Sequence, residues 1–255
     1  MRVVGIIPAR MASSRFPGKP LADIHGMPMI GHCWHRCKLS DALEEVYIAT
    51  CDETVKAYAK AIGAPCIMTS DKHERATDRC AEAMLKIEQA GAQRTDIMVM
   101  IQGDEPMVHP AMMLEAIGPL LDDPSVNVVN LYADLGTDDE FDDANEVKVV
   151  IDLGGNALYF SREPIPSRRK GTSQVPMLKQ VCVIPFRRDY LLRFNELPAT
   201  PLEVIESVDM MRILEHGEKV RMVRTEFKSL SVDTPGDLAR VAEMMRHDSL
   251  MKSYL

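Results

Sequence analysis

Short apolar runs alternate with segments of helical periodicity through the first half of the chain. The predicted strands are residues 3–7, 46–50, 66–69 and a run beginning at 97. The predicted helices are residues 28–40, 53–62, 78–89 and 110–121. Strands and helices that alternate at this spacing are typical of a parallel sheet with helices on both faces.

After residue 126 the apolar runs become longer, and we expect antiparallel or mixed strands added to the sheet. An acidic loop, TDDEFDDANE, separates the first two runs. The elements predicted next are a strand at KQVCVIPF, a helix at RDYLLRFNEL, one helix at PLEVIESVDMMRILEHG closed by Gly217, a strand at VRMVRT, and a strand end plus terminal helix at SLSVDTPGDLARVAEMMRH. The predicted fold is a single α/β domain with a Rossmann-like, mostly parallel (mixed) sheet and an inserted antiparallel part.

Composition and charge narrow the possible ligands. The chain has 255 residues, 46% of them hydrophobic, which suffices for a large core. A net charge of −8 argues against nucleic-acid binding, so a small anionic ligand is favoured for any local cationic site. No apolar run approaches the ~20 residues that cross a bilayer, and no signal-peptide pattern opens the chain. We expect a cytoplasmic protein with no nucleic-acid or membrane partner.

The segment IIPARMASSRFPGKPL, residues 6–21, places three cations in a loop directly after the first strand. These are Arg10, Arg15 and Lys19. A solvated basic loop is the alternative interpretation. Because α/β sheets bind ligands at the carboxyl ends of their strands, the position favours a triphosphate cradle, and no Walker motif is present.

The segment QGDEP, residues 102–106, places a carboxylate and a glycine after another buried strand. Asp104 is therefore a candidate Mg²⁺ ligand, and Asp233 in SVDTPGDL is a second. The alternative for Asp233 is a helix cap. In TDRCAE, Thr77 or Asp78 can cap a helix, while Arg79 opposes the helix dipole and is a candidate for a ligand contact or an ion pair. Two acidic metal ligands and a cationic phosphate loop describe a nucleotidyltransferase, in which an acceptor oxygen attacks the α-phosphate and pyrophosphate leaves.

These motifs, with GMPMIGH, VYIATCDE, ALYFSREPIP, PLEVIES, HGEKV and SVDTPGDLARV, resemble the 3-deoxy-manno-octulosonate (Kdo) cytidylyltransferases over nearly the whole chain. The resemblance implies a homodimer that uses CTP and Mg²⁺, holds no organic cofactor, and makes a CMP-sugar for lipopolysaccharide or surface polysaccharide. It also implies a nucleotide-binding half over about 1–125, a sugar-binding and dimerisation part over 126–220, and a closing strand and helix over 221–255.

The resemblance implies a role for each site residue. The catalytic residues are Arg10, Lys19, Asp104 and Asp233, with Asp104 and Asp233 binding the metal. The nucleotide ligands are Pro8, Ala9, Arg10, Ser14, Arg15, Lys19, Thr77, Arg79, Gln102 and Asp104. The sugar-acid ligands are Gln102, Arg162, Gln180, Glu203 and Glu206.

Departures from the family pattern fall mostly where the sugar should bind. The Ser-Gly-Thr-Asp/Glu-Arg block of the family begins with Arg75 in this chain. Gln180 stands where relatives commonly carry a His-Leu/Ile-Gly stretch. In addition, Ser167 replaces an aromatic residue and Val204 replaces a polar residue. The alternatives are therefore another sugar acid such as a nonulosonate, another base, or a silent nucleotide-binding paralogue. The two aspartates argue against the silent paralogue.

Overall fold

The computed structural model describes residues 1–13, 15–170 and 175–255. It divides into two compact units, Met1–Leu114 with Phe227–Leu255, and Glu115–Glu226. Ser14, a predicted phosphate ligand, lies outside the described residues, as does part of the basic loop after Ser167. The functional roles assigned to parts of the chain remain predictions.

The first unit follows the predicted alternation of strands and helices. Its elements begin with β1 (Val3–Ala9), β2 (Asp23–Ile24), β3 (Met27–Pro28), α1 (Met29–Lys38), β4 (Glu45–Thr50), α2 (Glu53–Ala61), β5 (Cys66–Met68), α3 (Ala76–Gln89) and β6 (Ile97–Ile101). Helix α4 (Ala111–Asp122) includes the chain position where the first unit ends and the second begins. Strands β1 and β6 are buried along their whole length, as expected for parallel strands covered on both faces. The strands predicted from apolar runs are therefore confirmed in this unit.

The order of the parallel strands locates a ligand-binding crevice. They pair as β6-β1-β4-β5, so the chain runs outward from β1 through β4 to β5 and then returns to the other side of β1. In open α/β sheets, ligands bind where the strand order reverses, outside the carboxyl ends of the strands. The loops that follow β1 and β6 meet at this point.

The second unit contains a sheet of its own. Its elements are β7 (Val129–Asp134), α5 (Asp138–Asp142), β8 (Lys148–Ile151), β9 (Ala157–Ser161), β10 (Leu178–Val181), β11 (Val183–Arg187), α6 (Arg188–Glu196), α7 (Pro201–Glu206), α8 (Met210–Glu215) and β12 (Arg221–Arg224). Five of the described strands pair in the order β12-β7-β10-β8-β9, with β12 parallel to β7 and the other pairs antiparallel. The runs after residue 126 were predicted to add strands to the first sheet, but β7, β8 and β9 belong to a separate, second sheet.

Several predicted boundaries were wrong. The helix predicted from Pro201 to Gly217 is two helices, because Ser207 adopts a left-handed conformation (φ 53°) that ends α7. Gly217 (φ 74°) follows the end of α8 as predicted. The acidic loop contains α5, capped by the Thr137 side chain. Helix α3 begins at Ala76 with Arg75 at its N-cap, so neither Thr77 nor Asp78 caps it.

The chain returns to the first unit for its last helix, α9 (Pro235–Met245). The preceding segment, predicted as a strand end, has no regular secondary structure. Buried Val232, Val241 and Met245 pack with Ile24 and Met29 in one apolar cluster, which fixes the start of α9 against α1. Among the described residues, no helix is both long and apolar enough to cross a bilayer.

Candidate active site

The loop after β1 is shaped by a glycine and an aspartate. Gly18 has a left-handed conformation (φ 77°), which glycine adopts without strain, and precedes the short 3₁₀ helix that carries Lys19. Its N–H donates to the Met11 carbonyl (3.0 Å), and the Met11 N–H donates to Oδ2 of Asp52 (2.8 Å). Asp52 follows β4, the neighbour of β1. Sequence reasoning gave Asp52 no role, although its place after a strand was a usable signal.

The loop after β6 lies close to the end of β1 because residue 103 has no side chain. A Cβ atom at Gly103 would lie 2.9 Å from the Pro8 carbonyl oxygen and 3.0 Å from Ile30 Cδ1. Such contacts are too short for any other residue without a shift of the backbone. Gly103 therefore allows the approach that places Asp104 beside the β1 loop.

Lys19 joins the two predicted metal carboxylates. Its ammonium donates to Asp104 Oδ2 (2.7 Å) and to Asp233 Oδ1 (3.2 Å), and Arg15 donates to the same oxygen of Asp233 (2.9 Å). Burial lowers the pKa of Lys19, but the attraction of Asp104 and Asp233 outweighs burial and leaves this pKa raised. The site thus concentrates both signs of charge at the crevice.

Asp233 is not a helix cap. The N-cap of α9 is Thr234, whose hydroxyl accepts from the Asp237 N–H (3.2 Å). The Asp237 carboxylate in turn accepts from the backbone N–H of Thr234 (2.8 Å). Because this capping box satisfies the helix start, the Asp233 carboxylate is directed to Lys19 and Arg15.

The chemistry of Asp104 and Asp233 fits Mg²⁺. Two carboxylates that converge on one ammonium could bind a hard cation, since Mg²⁺ needs only one or two protein carboxylates with water and phosphate oxygens. Across the part of the chain that the structure describes, no cluster of three or more His, Cys, Asp or Glu residues could hold a metal by itself. Cys33 and Cys37, four residues apart on α1, are fully buried, and burial raises the pKa of Cys37 to about 12.

Comparison with known proteins identifies the family. A family profile described as Cytidylyltransferase matches residues 4–220. The 3-deoxy-manno-octulosonate cytidylyltransferase of Geobacter metallireducens is 42% identical over 255 residues, covering 96% of this chain and 98% of that protein. This chain belongs to the 3-deoxy-manno-octulosonate cytidylyltransferase family. It is also similar, with a TM-score of 0.88 and 37% identity, to a CMP:2-keto-3-deoxy-manno-octonic acid synthetase solved as a complex with CTP, covering 97% of this chain and 100% of that one.

The family resemblance, the fold class and the nucleotidyltransferase activity predicted from sequence are therefore confirmed. A second relative, the 3-deoxy-manno-octulosonate cytidylyltransferase of Geotalea uraniireducens, is 41% identical over 256 residues and covers 96% of this chain and all of that protein. The comparisons do not test the residue roles, which remain predictions.

The other predicted nucleotide ligands of this cytidylyltransferase lie around the same strand ends. Pro8 and Ala9 are the last residues of β1, and Arg10 follows them with an exposed side chain. Gln102 follows β6 and precedes Gly103. The structure thus places these residues in the two loops that hold Lys19 and Asp104.

Arg79 stabilises the loop between β5 and α3. The side chain is buried and donates to Thr69 Oγ1 (2.5 Å) and to the Ser70 carbonyl (3.2 Å). Thr77, in the first turn of α3, is also buried. These contacts explain the arginine in the first helical turn, since it anchors the loop that precedes the helix.

In the second unit, Arg162 and Glu206 form one hydrogen-bonded group. The Glu206 carboxylate accepts from the Ser161 hydroxyl (3.0 Å) and the Arg162 N–H (2.8 Å), and Arg162 Nε donates to the Glu206 carbonyl (2.7 Å). Gln180, on β10, donates to Oδ1 of Asn130 on β7 (2.5 Å). Arg162, Gln180 and Glu206 thus each have a hydrogen-bonded neighbour within this unit.

Glu203, predicted as a sugar-acid ligand, has a structural role instead. Its side chain has no exposure, and its two carboxylate oxygens accept from Arg212 Nη2 (2.6 Å) and Nε (2.7 Å). It also closes the capping box of α7 with Thr200. A carboxylate held in this way is inaccessible to a substrate, so we remove Glu203 from the predicted site.

Proposed function

We propose that this cytidylyltransferase makes CMP-Kdo from CTP and Kdo in a Mg²⁺-dependent reaction that releases pyrophosphate. The observation that carries the proposal is the group formed by Lys19, Asp104 and Asp233 where the strand order reverses. Full-length similarity to proteins named for this reaction supports the nucleotide and the acceptor together.

In the proposed reaction, a hydroxyl oxygen of the sugar acid attacks the α-phosphorus of CTP. The bond from that phosphorus to the β-phosphate bridging oxygen breaks, and the hydroxyl proton passes to water. Lys19, Arg10 and Arg15 bind the triphosphate oxygens and stabilise the charge that develops on them. Asp104 and Asp233 would hold Mg²⁺, which would supply Lewis-acid neutralisation of the phosphate charge.

Arg162 is the best candidate to bind the acid group of Kdo. Its Nε and Nη1 donate to the carbonyls of Glu206 (2.7 Å) and Ala144 (2.8 Å), so the guanidinium is held in place. A pre-oriented guanidinium binds a carboxylate without losing further side-chain entropy. Gln180 and Glu206 remain proposed ligands for sugar hydroxyls.

A pyrophosphate-release assay with Mg²⁺ and CTP tests the proposal, with Kdo present in one reaction and omitted in another. We expect release only when Kdo is present, and release abolished by a chelator. Turnover of a nonulosonate, but not of Kdo, would show that the acceptor is a sugar acid other than Kdo. No turnover of any sugar acid by a folded, CTP-binding protein would contradict it.

Two further properties are proposed from the family. The protein is a cytoplasmic homodimer, and its product supplies the synthesis of lipopolysaccharide or surface polysaccharide. Light scattering after size-exclusion chromatography tests the dimer, and a mass corresponding to one 255-residue chain would contradict it.

A further inference from the structure

The segment that carries Asp233 has no regular secondary structure, yet contacts fix it to the segment after β6. The ring of Phe227 stacks on His109, with centroids 3.9 Å apart and planes 5° from parallel. The Val232 N–H donates to the Asp104 carbonyl (2.9 Å). These contacts hold two stretches of chain more than 100 residues apart in one register.

The strongest of these contacts is a buried hydrogen bond. The hydroxyl of Ser229 donates to Oε2 of Glu105 at 2.6 Å, and the two residues are each 5% exposed. A hydroxyl bound to a carboxylate forms a charge-assisted bond, which is stronger than a neutral one. Burying a carboxylate is costly unless it is hydrogen-bonded, so this bond strongly favours one arrangement of the two segments.

The bond lies directly beside the two proposed metal ligands. Glu105 is the next residue after Asp104, and Ser229 lies four residues before Asp233. Neither segment belongs to a helix or strand, so no regular ladder sets their separation. The distance between the two aspartates therefore depends on the contacts that join these segments.

We propose that Glu105 and Ser229 are positioning residues for the Mg²⁺ site, holding Asp104 and Asp233 at the separation that the metal requires. This proposal rests on the proposed function of the two aspartates. Neither Glu105 nor Ser229 contacts a substrate in this role. The loss of a hydrogen bond made directly to a metal ligand typically weakens metal affinity roughly 10- to 100-fold. The Ser229–Glu105 bond acts through the neighbouring backbone instead, so we expect an effect at the lower end of that range.

Metal titration of the full chain tests the proposal. Electron paramagnetic resonance is used to measure Mn²⁺ binding to Ser229→Ala, Ser229→Thr and the unmodified protein. We expect Ser229→Ala to weaken Mn²⁺ roughly tenfold, and Ser229→Thr, which keeps the hydroxyl, to restore most of the affinity. CTP affinity measured with a chelator should stay unchanged, and kcat should recover at high Mg²⁺.

Ser40→Ala is the matched control, since Ser40 is also a buried serine of the first unit, and its hydroxyl accepts from the Ala42 N–H, two residues away. It should leave Mn²⁺ affinity unchanged. If Ser229→Ala does not fold, Ser229→Cys is measured instead, since it replaces the strong donor by a weak one of similar size. It should also weaken Mn²⁺ binding.

The outcomes separate the two proposals. Mn²⁺ affinity that is unchanged in Ser229→Ala, or reduced equally in Ser40→Ala, would overturn the positioning role. Asp104→Asn is measured alongside. If Asp104→Asn loses Mn²⁺ binding and Ser229→Ala retains it, only the positioning role fails. If Asp104→Asn binds Mn²⁺ normally, the metal site itself is wrong.

Discussion

The ammonium of Lys19 lies 2.7 Å from the Asp104 carboxylate and bridges loops 85 residues apart. The same nitrogen contacts Asp233, so one lysine neutralises two carboxylates assigned to a metal. A Mg²⁺ ion that binds these carboxylates would weaken their hold on Lys19. We therefore expect metal binding to release the ammonium for the triphosphate, which couples the two binding events.

Replacement of Lys19 by methionine tests this coupling. Without nucleotide, Lys19→Met should bind Mn²⁺ more tightly than the unmodified protein, because the metal no longer competes with an ammonium. Its turnover should nevertheless fall by roughly 10²- to 10³-fold, the usual cost of losing one donor that stabilises transition-state charge. Calorimetric metal titration and pyrophosphate release measure the two effects. Weaker metal binding in Lys19→Met would contradict the expected competition between the metal and the Lys19 ammonium for the two carboxylates.

Asp104→Asn should retain the fold and lose orders of magnitude in turnover, since the metal loses an anionic ligand. The substitution keeps the shape of the side chain, so near-normal circular dichroism is expected. Asp41→Asn, at an exposed position before β4, is the control and should keep full activity. A near-normal rate for Asp104→Asn would remove this residue from the mechanism.

Gly103→Ala should reduce both stability and turnover. Its new Cβ would lie 2.9 Å from the Pro8 carbonyl, and forced overpacking of this kind costs about 1–3 kcal/mol in the free energy of unfolding. The shift needed to relieve the contact moves the next residue, Asp104. Gly136→Ala is the control, because Gly136 does not have a left-handed φ and a Cβ there would meet its nearest neighbour, Glu140 Oε2, at an ordinary contact distance of 3.5 Å. That change should be neutral or stabilising in urea unfolding.

The sequence allowed the central site to be predicted because each of its residues follows a recognisable signal. Lys19 and Asp104 lie in loops after buried strands, and parallel pairing brings the ends of β1 and β6 together. The roles of Glu105 and Ser229 had no such signal. Their contact spans 124 residues, and the segment with Ser229 has no periodicity from which its neighbour could be inferred.

The prediction that Glu203 binds the sugar acid was wrong because of a local break in the helix that carries it. A continuous helix was predicted from Pro201 to Gly217, but Ser207 interrupts it in a left-handed conformation without a glycine or proline to mark the break. The interruption brings Arg212 back against Glu203. The sequence pattern showed that Glu203 belongs to a family motif, but it could not show that the carboxylate is already paired with Arg212.

Glu203→Ala should therefore act on stability rather than on sugar binding. It leaves Arg212 as a buried cation without its carboxylate, a change that costs about 3–5 kcal/mol. Urea unfolding measures this loss, while the KM for Kdo of the folded variant should be close to that of the unmodified protein. Glu218→Ala, which breaks an exposed pair with Arg193, should cost at most about 1 kcal/mol. A raised KM with unchanged stability would restore Glu203 to the sugar site.

Stability should also depend on pH through Glu82, which anchors the loop after β5. Burial alone would raise the pKa of Glu82. Hydrogen bonds from Lys86, the Ser70 N–H and His73 outweigh burial and lower this pKa to about 2. Because the pKa is lower in the folded state than in the unfolded chain, the ionised carboxylate stabilises the fold above about pH 5, and this contribution is lost as the pH falls toward 2. Glu82→Gln should thus be less stable at pH 7, with a difference that shrinks between pH 5 and pH 2.

Urea unfolding at a series of pH values measures the Glu82→Gln difference directly. Other carboxylates titrate in both proteins, so their contribution cancels when the two are compared. Glu53→Gln is the matched control, because Glu53 lies in the exposed first turn of α2 and its pair with Lys56 is open to water. A Glu82→Gln difference that stays constant from pH 7 to pH 3 would show that the carboxylate charge does not hold this loop.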